Sequence, residues 1–371
     1  MLKLGPDRFR VLETELAIDG GDLRWRSYFE AFASDYAGAT ATTPPRASWP
    51  IRIAAGEPPR PDDAAGDGPI DFHRSANYRH WSLTGHGRPG RLALAAYGLT
   101  LAFDPDRGLT VWSSDPPSAR AAELVFHAAR GLALAVGSGG QSLMLHASAA
   151  VLGGRAILFA GTKGAGKSTL FIEAVTAAGA TPLANDRVTL RLDAAAIAES
   201  WPSYASYCEG TIADYPALGA AFLGYERSAW SAGLVRWGDG FERDYTQARK
   251  RIVPPRFLVE SLGRRYAFTA PAAALVMARA EVLPGAAFRA RQGRTTAQLT
   301  DDELAGIVFG DDDADFPRWH GLPARRGEMA ARTTLLRAAA LPVIDLHFNP
   351  ATGKPALRGL FAELSAPGGT T

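Results

Sequence analysis

One eight-residue stretch carries the residue types needed to grip a polyphosphate. Gly161-Thr162-Lys163-Gly164-Ala165-Gly166-Lys167-Ser168 follows the apolar run Ala156-Ile157-Leu158-Phe159-Ala160 and opens a segment read as a helix to about Ala178. The pattern Gly-x-x-x-x-Gly-Lys-Ser works mechanically between a strand and a helix, and that is where it stands. Gly161, Gly164 and Gly166 let main-chain N–H groups converge on phosphate oxygens without side-chain obstruction. The helix N-terminus adds roughly half a positive charge towards them. Lys167 then serves the β- and γ-phosphates, and the Ser168 hydroxyl is placed for Mg²⁺. With Thr169 in the first helical turn, residues 161–169 form a nucleotide site, and ATP with Mg²⁺ is the expected ligand pair. A glycine-rich turn without a ligand would need neither the lysine nor the serine.

Three further groups surround this loop in the sequence. His146 lies in Leu143-Met144-Leu145-His146-Ala147-Ser148-Ala149-Ala150-Val151-Leu152, expected as one strand that turns at Gly153-Gly154 into the loop strand. A lone histidine in such a run is as often a hydrogen-bonded core residue as a functional one. Asp186 comes after the loop helix, between Thr181-Pro182-Leu183-Ala184-Asn185 and the strand Val188-Thr189-Leu190-Arg191-Leu192. That place argues for a metal or catalytic role. Arg249-Lys250-Arg251 is a basic run that is either a solvated face or a phosphate contact through Lys250 or Arg251.

An acid this early, just after the first helix, is unusual for a phosphate-loop domain. Together with a histidine-bearing strand ahead of the loop strand, it resembles the HPr kinase/phosphorylase family and its related kinases. The nucleotide fold of that family is shared with phosphoenolpyruvate carboxykinase. The resemblance rests on Leu145-His146-Ala147-Ser148-Ala149-Ala150-Val151, on Gly161 to Thr169, and on Leu183-Ala184-Asn185-Asp186-Arg187-Val188. It is specific over about residues 143–193, and Gly210-Thr211 and Lys250-Arg251-Ile252 before Pro254 look like later landmarks. It implies an α/β, phosphoenolpyruvate-carboxykinase-like P-loop domain using ATP and Mg²⁺. It places His146 near the transferred phosphoryl group, Asn185 and Asp186 at metal and nucleophile, and Lys250 or Arg251 on the phosphate. The catalytic set is then Asp186, His146, Lys167, Lys250 and Arg251, and the metal contacts are Ser168 and Asp186. The implied chemistry is transfer of the ATP γ-phosphate to a serine hydroxyl in a protein, a peptide or free serine.

One position departs from the family. Asn185 stands where the family has the first of two aspartates, its favoured base. An amide cannot take the serine proton. Asp186 or His146 could, or the reaction could proceed without a strong base, because phosphoryl transfer relies mainly on positioning and charge neutralisation. Three functions stay open: a kinase of a peptide or small protein, a catalytically degenerate nucleotide-binding scaffold, and a small-molecule kinase. Similar chains in bacterial peptide-natural-product pathways act on precursor peptides, and this sequence looks closer to those than to the carbohydrate regulator.

The rest of the chain must position these groups. Its 371 residues exceed one ordinary core, so two domains are expected: an α+β domain over 1–115 that could recognise the acceptor, and the kinase domain over 116–371. The first region contains a helical pattern over Arg24–Phe32 and a Pro-, Gly- and Asp-rich stretch from Ala39 to about Gly68, read as a linker or long loop. A small antiparallel sheet is expected from Leu92–Tyr97, Leu99–Phe103 and Leu109–Trp112. A helix begins near Pro117 and ends at Gly137-Ser138-Gly139-Gly140. Further on, helices are expected over Phe257–Leu262, Leu299–Phe309 and Met329–Leu341, strands over Ala273–Met277 and Val343–Phe348, and a frayed tail from Pro367.

Composition bounds the partners. Hydrophobic residues make up 47% and charged residues 21%, and the net charge of +2 gives no argument for nucleic acid. No apolar signal core and no apolar run of membrane-spanning length is present, and the single cysteine, Cys208, forms no internal disulfide, so a cytoplasmic protein without a membrane partner is expected. Related enzymes are often oligomers, and nothing here sets a homo-oligomer number. Glu209-Gly210-Thr211 either approaches the metal or forms a plain turn. Asp311-Asp312-Asp313 with Asp315 lacks the spacing of a calcium loop and reads as solvated. His73, His80 and His86 with Arg74, Arg79 and Arg88 read as a polar loop that could touch substrate.

Overall fold

Alternating apolar residues build the N-terminal strands of the chain into one sheet. In the computed structural model the described residues are 8–12, 14–20, 25, 29, 47–54, 56, 58, 68–73, 82–88, 90–94, 97–113, 119–137, 142–192, 194–201, 203, 205–226, 240–246, 249–283, 285–309 and 329–366. Strands β1 (Arg8–Val11), β2 (Thr14–Asp19), β3 (Ala47–Ala54), β4 (Gly68–His73), β5 (Ser82–Arg88), β6 (Arg91–Leu94), β7 (Leu99–Asp104) and β8 (Gly108–Ser113) pair in the order β1-β2-β3-β8-β7-β6-β5-β4. The expected antiparallel sheet is present as β6–β8, but it is part of a larger, eight-stranded mixed one in which β2–β3 and β3–β8 are parallel. Two expectations are corrected here. Part of the supposed linker is β3, an interior strand whose Trp49 and Ile51 are buried. His73, His86 and Arg88 lie on strands β4 and β5 rather than in a loop, while Arg74, Arg79 and His80 lie outside the described residues.

Trp25 and Phe29, four apart in the expected helical pattern, are both helical and buried. Phe29 meets Phe126 edge-on at 5.2 Å. Phe126 belongs to α1 (Ala119–Gly137), which packs on β1, β2, β3 and β8. Two arginines tie this layer to the remainder: the Arg10 guanidinium lies 5.0 Å from the Phe268 ring and that of Arg130 4.8 Å from Trp201. Such cation–aromatic contacts stabilise a desolvated junction without needing a paired acid.

The second sheet is made by β9 (Ser142–Leu145), β10 (Ala147–Leu152), β11 (Arg155–Ala160), β12 (Thr181–Ala184), β13 (Val188–Leu192), β14 (Ala196–Glu199), β17 (Thr269–Ala280), β18 (Arg289–Thr295) and β19 (Pro342–Phe348). Helix α2 (Lys167–Ala177) follows β11. A separate hairpin-like pair, β15 (Ala205–Cys208) and β16 (Lys250–Val253), is joined through α3 (Glu209–Ala213) and α4 (Pro216–Glu226), and α5 (Pro255–Leu262) follows it. Strand β17 is the spine: it runs parallel to β11 and β19 and antiparallel to β14. Both faces are covered, which is why β9, β10 and β11 read as nearly unbroken apolar runs. One face packs Phe159, Val276 and Ile344 against Leu170 and Phe171 of α2 and Phe361 of α8 (Lys354–Ser365). The other packs Leu158, Leu275 and Val343 against Leu304 of α6 (Asp301–Ala305) and Leu336 of α7 (Met329–Ala338).

The expected strand Leu143–Leu152 is two strands, broken at His146. The reason is pairing: β9 ladders with β13, whereas β10 ladders with β11 and β12. At the switch the His146 N–H donates to the Ile307 carbonyl at 2.8 Å instead of to a strand neighbour. The helix expected over Leu299–Phe309 is only the short α6, which follows a 3₁₀ turn at Thr296–Gln298 and which Thr300 caps by a capping box with Glu303. The expected tail and the Asp311–Asp315 run lie outside the described residues. No helix among the described residues is long and apolar enough to cross a membrane.

Helix α8 closes the α2 face through the Phe159–Phe361 edge contact at 6.0 Å. Phe361→Ala is expected to cost about 3–5 kcal/mol of stability, measured by denaturant unfolding, because the fully buried ring leaves a cavity that α2 and β11 cannot collapse into.

Candidate functional site

The elements that carry His146, the glycine-rich loop, Asn185 and Asp186 meet at one end of the second sheet's strands. Ala147 pairs with Ala160, so His146 enters β10 at the end where β11 exits. Ala149 pairs with Ala184, which puts Asn185 and Asp186 at that end too. The parallel strands β17 and β19 finish beside it, at Ala280 and Phe348. Crevices outside the carboxyl ends of parallel strands are where open α/β sheets bind ligands.

The connection between β11 and α2 is the glycine-rich loop. Gly161 has φ 141°, and a Cβ there would stand 2.6 Å from the Ala278 carbonyl oxygen. Gly166, at φ 88°, would drive a Cβ to 2.5 Å from the Phe348 ring. The loop thus needs glycine for its turn and its closeness to β17 and β19. Gly166 also caps α2 without any side-chain hydrogen bond, leaving the first helical N–H groups for another acceptor. Thr162, Lys163 and Gly164 are exposed, Ala165 is buried, and the Thr169 hydroxyl is shared with that of Thr211 at 3.0 Å.

Lys167 is buried, and its ammonium donates to the Gly161 carbonyl at 2.9 Å and to that of Thr162 at 3.1 Å. Burial lowers its pKa to about 8; Asp186 works against this and Lys250 adds to it. Asp186 takes a left-handed backbone, φ 68°, a conformation that aspartate tolerates better than most residues. Its carboxylate lies 3.5 Å from His146 Nε2. Burial pushes the Asp186 pKa up, but the His146 contact, with Arg187 and Lys167, outweighs this and holds it below the usual carboxylate value. The His146 ring also stands 5.5 Å from that of Phe309, over which Arg187 lies at 4.8 Å.

Asn185 is buried at the centre of a hydroxyl cluster. Its Oδ1 accepts from Ser148 Oγ at 2.7 Å and Ser168 Oγ at 3.4 Å, and Ser148 Oγ in turn accepts from the Asp186 N–H at 3.4 Å. Asn185 Nδ2 is a buried donor without a hydrogen-bond partner among the described residues. The Ser168 hydroxyl and the Asp186 carboxylate are hard oxygen donors of the kind Mg²⁺ takes, and no larger cluster of His, Cys, Asp or Glu gathers among the described residues. Two protein oxygens suit an ion that keeps waters and phosphate oxygens as its other ligands.

Strand alternation separates Lys250 from Arg251, which the sequence left as equals. Arg251 turns inward: its side chain and that of Glu209 are both 0% exposed, with Nε to Oε1 at 2.8 Å, and it also donates to the Gly240 carbonyl. Glu209 carries Arg249 on its other oxygen at 2.9 Å. Lys250 points to the other side, where its charge reaches Lys167. Glu209 is therefore a partner of two arginines rather than a turn residue, and Gly210 packs under the Tyr245 ring. Cys208 sits half-buried opposite Lys250 in the ladder, and burial raises its pKa. Sequence reasoning missed Ser148 and Phe309 as neighbours of the site. Ser148 falls two residues after His146, hence on the same side of the chain, but a serine in an apolar strand gives no louder signal than that.

Two outcomes follow from these environments. Glu209→Gln strands Arg251 without its counter-charge and should cost about 3–5 kcal/mol in denaturant unfolding, whereas Lys250→Met should stay within about 0.5 kcal/mol of the parent. Affinity for Mg²⁺–ATP, by calorimetry, should fall as pH rises above about 8. Bound phosphate favours the ammonium, so binding then takes up a proton, with a loss of up to about tenfold per pH unit. Lys167→Arg, which stays charged, should be flat over the same range.

No family model matches this sequence. No curated protein matches it. Among solved structures it is similar to the Hpr(Ser) kinase/phosphatase from Coxiella burnetii, with 12% sequence identity and a TM-score of 0.26, over 60% of this chain and 88% of that one. A likeness at that score settles neither fold nor chemistry, and the functional case rests on the geometry above.

Proposed function

We propose that the chain is an ATP-dependent kinase that transfers the γ-phosphate to a hydroxyl, serine by family resemblance, on a peptide or small protein. The observation that carries this is the convergence of a buried Lys167, the Asp186–His146 pair and Lys250 on one glycine-rich loop at the strand ends. A turn with a purely structural purpose gains nothing from two lysines whose charges oppose each other. A tri-anionic group set between them relieves that repulsion.

In this reading the loop amides and Lys167 hold the β- and γ-phosphates, and Lys250 approaches the γ-phosphate from β16. Mg²⁺, when bound through Ser168 and Asp186, neutralises charge on the phosphates. Asp186 keeps its carboxylate ionised near neutral pH and orients the acceptor hydroxyl, with His146 as the neighbouring group able to take the proton onward. Catalysis by position and charge suffices for a loose phosphoryl-transfer transition state. The phosphoenolpyruvate-carboxykinase-like nucleotide fold for residues 116–371, acceptor recognition by residues 1–115, and a cytoplasmic setting belong to the same proposal.

Asn185 favours one rival: a nucleotide-binding scaffold that performs no transfer. Incubation with γ-labelled ATP and candidate acceptors separates the two. Label on a peptide or protein serine supports the kinase, label on a metabolite redirects it to small molecules, and saturable binding with no label anywhere favours the scaffold. Asp186→Asn should abolish transfer while most ATP affinity survives; unchanged turnover would remove Asp186 from the mechanism.

A further inference from the structure

The flank of the loop opposite Asp186 carries a feature that phosphate binding does not use. Strand β11 has β10 and β12 on one side and β17 and β19 on the other. Asp186 and His146 stand on the β10–β12 side. A triphosphate with its terminal group there and its chain laid across the loop would bring its nucleoside towards the segments that leave β17 and β19.

Those segments are joined to the loop and to each other. The Ala280 N–H donates to the Ala165 carbonyl at 3.1 Å, and the Glu281 N–H to that of Phe348 at 2.9 Å. Asn349, just past β19, donates from Nδ2 to the Leu283 carbonyl at 3.0 Å, while its Oδ1 accepts the N–H groups of Ala351 and Thr352. Gly285 has φ 79° and the Ala286 N–H donates to the Leu283 carbonyl at 3.1 Å, so the chain turns here. Val282, just ahead of this bond, and Leu283, which accepts it, are 48% and 63% exposed, and they are the exposed large hydrophobic residues among the described part of the chain.

A pair of adjacent aliphatic side chains kept in water on a pinned segment beside the glycine-rich loop gains free energy when an apolar ligand face covers it. We propose that Val282 and Leu283 form the platform on which the nucleobase of the bound nucleotide lies. This rests on the nucleotide reading of the loop and adds a subsite to it. Aliphatic groups meet the face of a purine rather than its edge, so the platform contributes affinity for a base without reading its hydrogen-bonding groups. Asn349 acts through the turn, as a positioning residue.

The test compares two probes on the full-length chain by titration calorimetry with Mg²⁺ present: ATP, which has a base, and inorganic tripolyphosphate, which has none. The variant Val282→Ser/Leu283→Ser changes only exposed side chains, and the carbonyl that Asn349 holds remains. ATP binding should weaken roughly tenfold, as expected for uncovering about half of each side chain, while tripolyphosphate binding stays the same. Equal loss for both probes, or loss for neither, overturns the platform. A parent chain that binds tripolyphosphate as tightly as ATP also overturns it but leaves the phosphate loop intact. A parent that binds neither brings down the nucleotide reading itself.

Discussion

The central constraint is a cation kept out of water. Lys167 is buried against two carbonyls of its own loop, and its pKa is pulled down to about 8. A buried ammonium is unfavourable unless it is hydrogen-bonded, and neutral carbonyls compensate it only in part. Asp186 supplies the attraction that keeps it charged, and Lys250 works in the other direction. In the function proposed above, a bound anion adds to that attraction. The remaining geometry serves to keep the two lysines in place. Gly161 and Gly166 let the loop lie against β17 and β19, and the Glu209–Arg251 pair fixes the strand that presents Lys250.

The same logic explains why charged groups near the site divide into two kinds. Arg251 and Glu209 are paired and both inaccessible, with the Gly240 carbonyl and Arg249 as further partners. Breaking the pair would be expensive. Lys250 instead lies where its charge acts on Lys167, against the attraction of Asp186. Alternation along one short strand is enough to create this division, since adjacent residues leave the ladder in opposite directions.

Much of this could be read from the sequence, and the limits were physical. The loop was legible because its chemistry is local: glycine, lysine and serine act within eight consecutive residues. The loop strand was legible because a covered strand is a continuous apolar run, and the strand after Asp186 and the closing strand because apolar residues recur along them at alternate positions. What stayed hidden depends on partners far along the chain. His146 looked like a strand residue because nothing nearby reveals that β9 and β10 pair with different neighbours. Lys250 and Arg251 could not be told apart because the inward side of β16 is set by Glu209, 42 residues away. Ala47–Ala54 was lost to its prolines and surroundings, although Trp49 and Ile51 alternate as an interior strand requires.

Asn185 is the residue where composition of the site and its geometry must be weighed together. An aspartate there would put a second carboxylate directly beside Asp186, in a position already buried, and two adjacent carboxylates raise one another's pKa unless metal or cation charge separates them. The amide avoids that repulsion yet keeps an acceptor oxygen, which Ser148 and Ser168 both use. When the Ser168 oxygen turns a lone pair towards a cation, its proton needs an acceptor on the other side, and Asn185 Oδ1 can fill that role without carrying charge. What the substitution removes is basicity, and the Asp186–His146 pair still has it. The unsatisfied Nδ2 is the remaining cost, since a buried donor without a partner is destabilising by about 1–3 kcal/mol. A site that tolerates such a donor is organised around its oxygen face, which is the face turned to the loop serine.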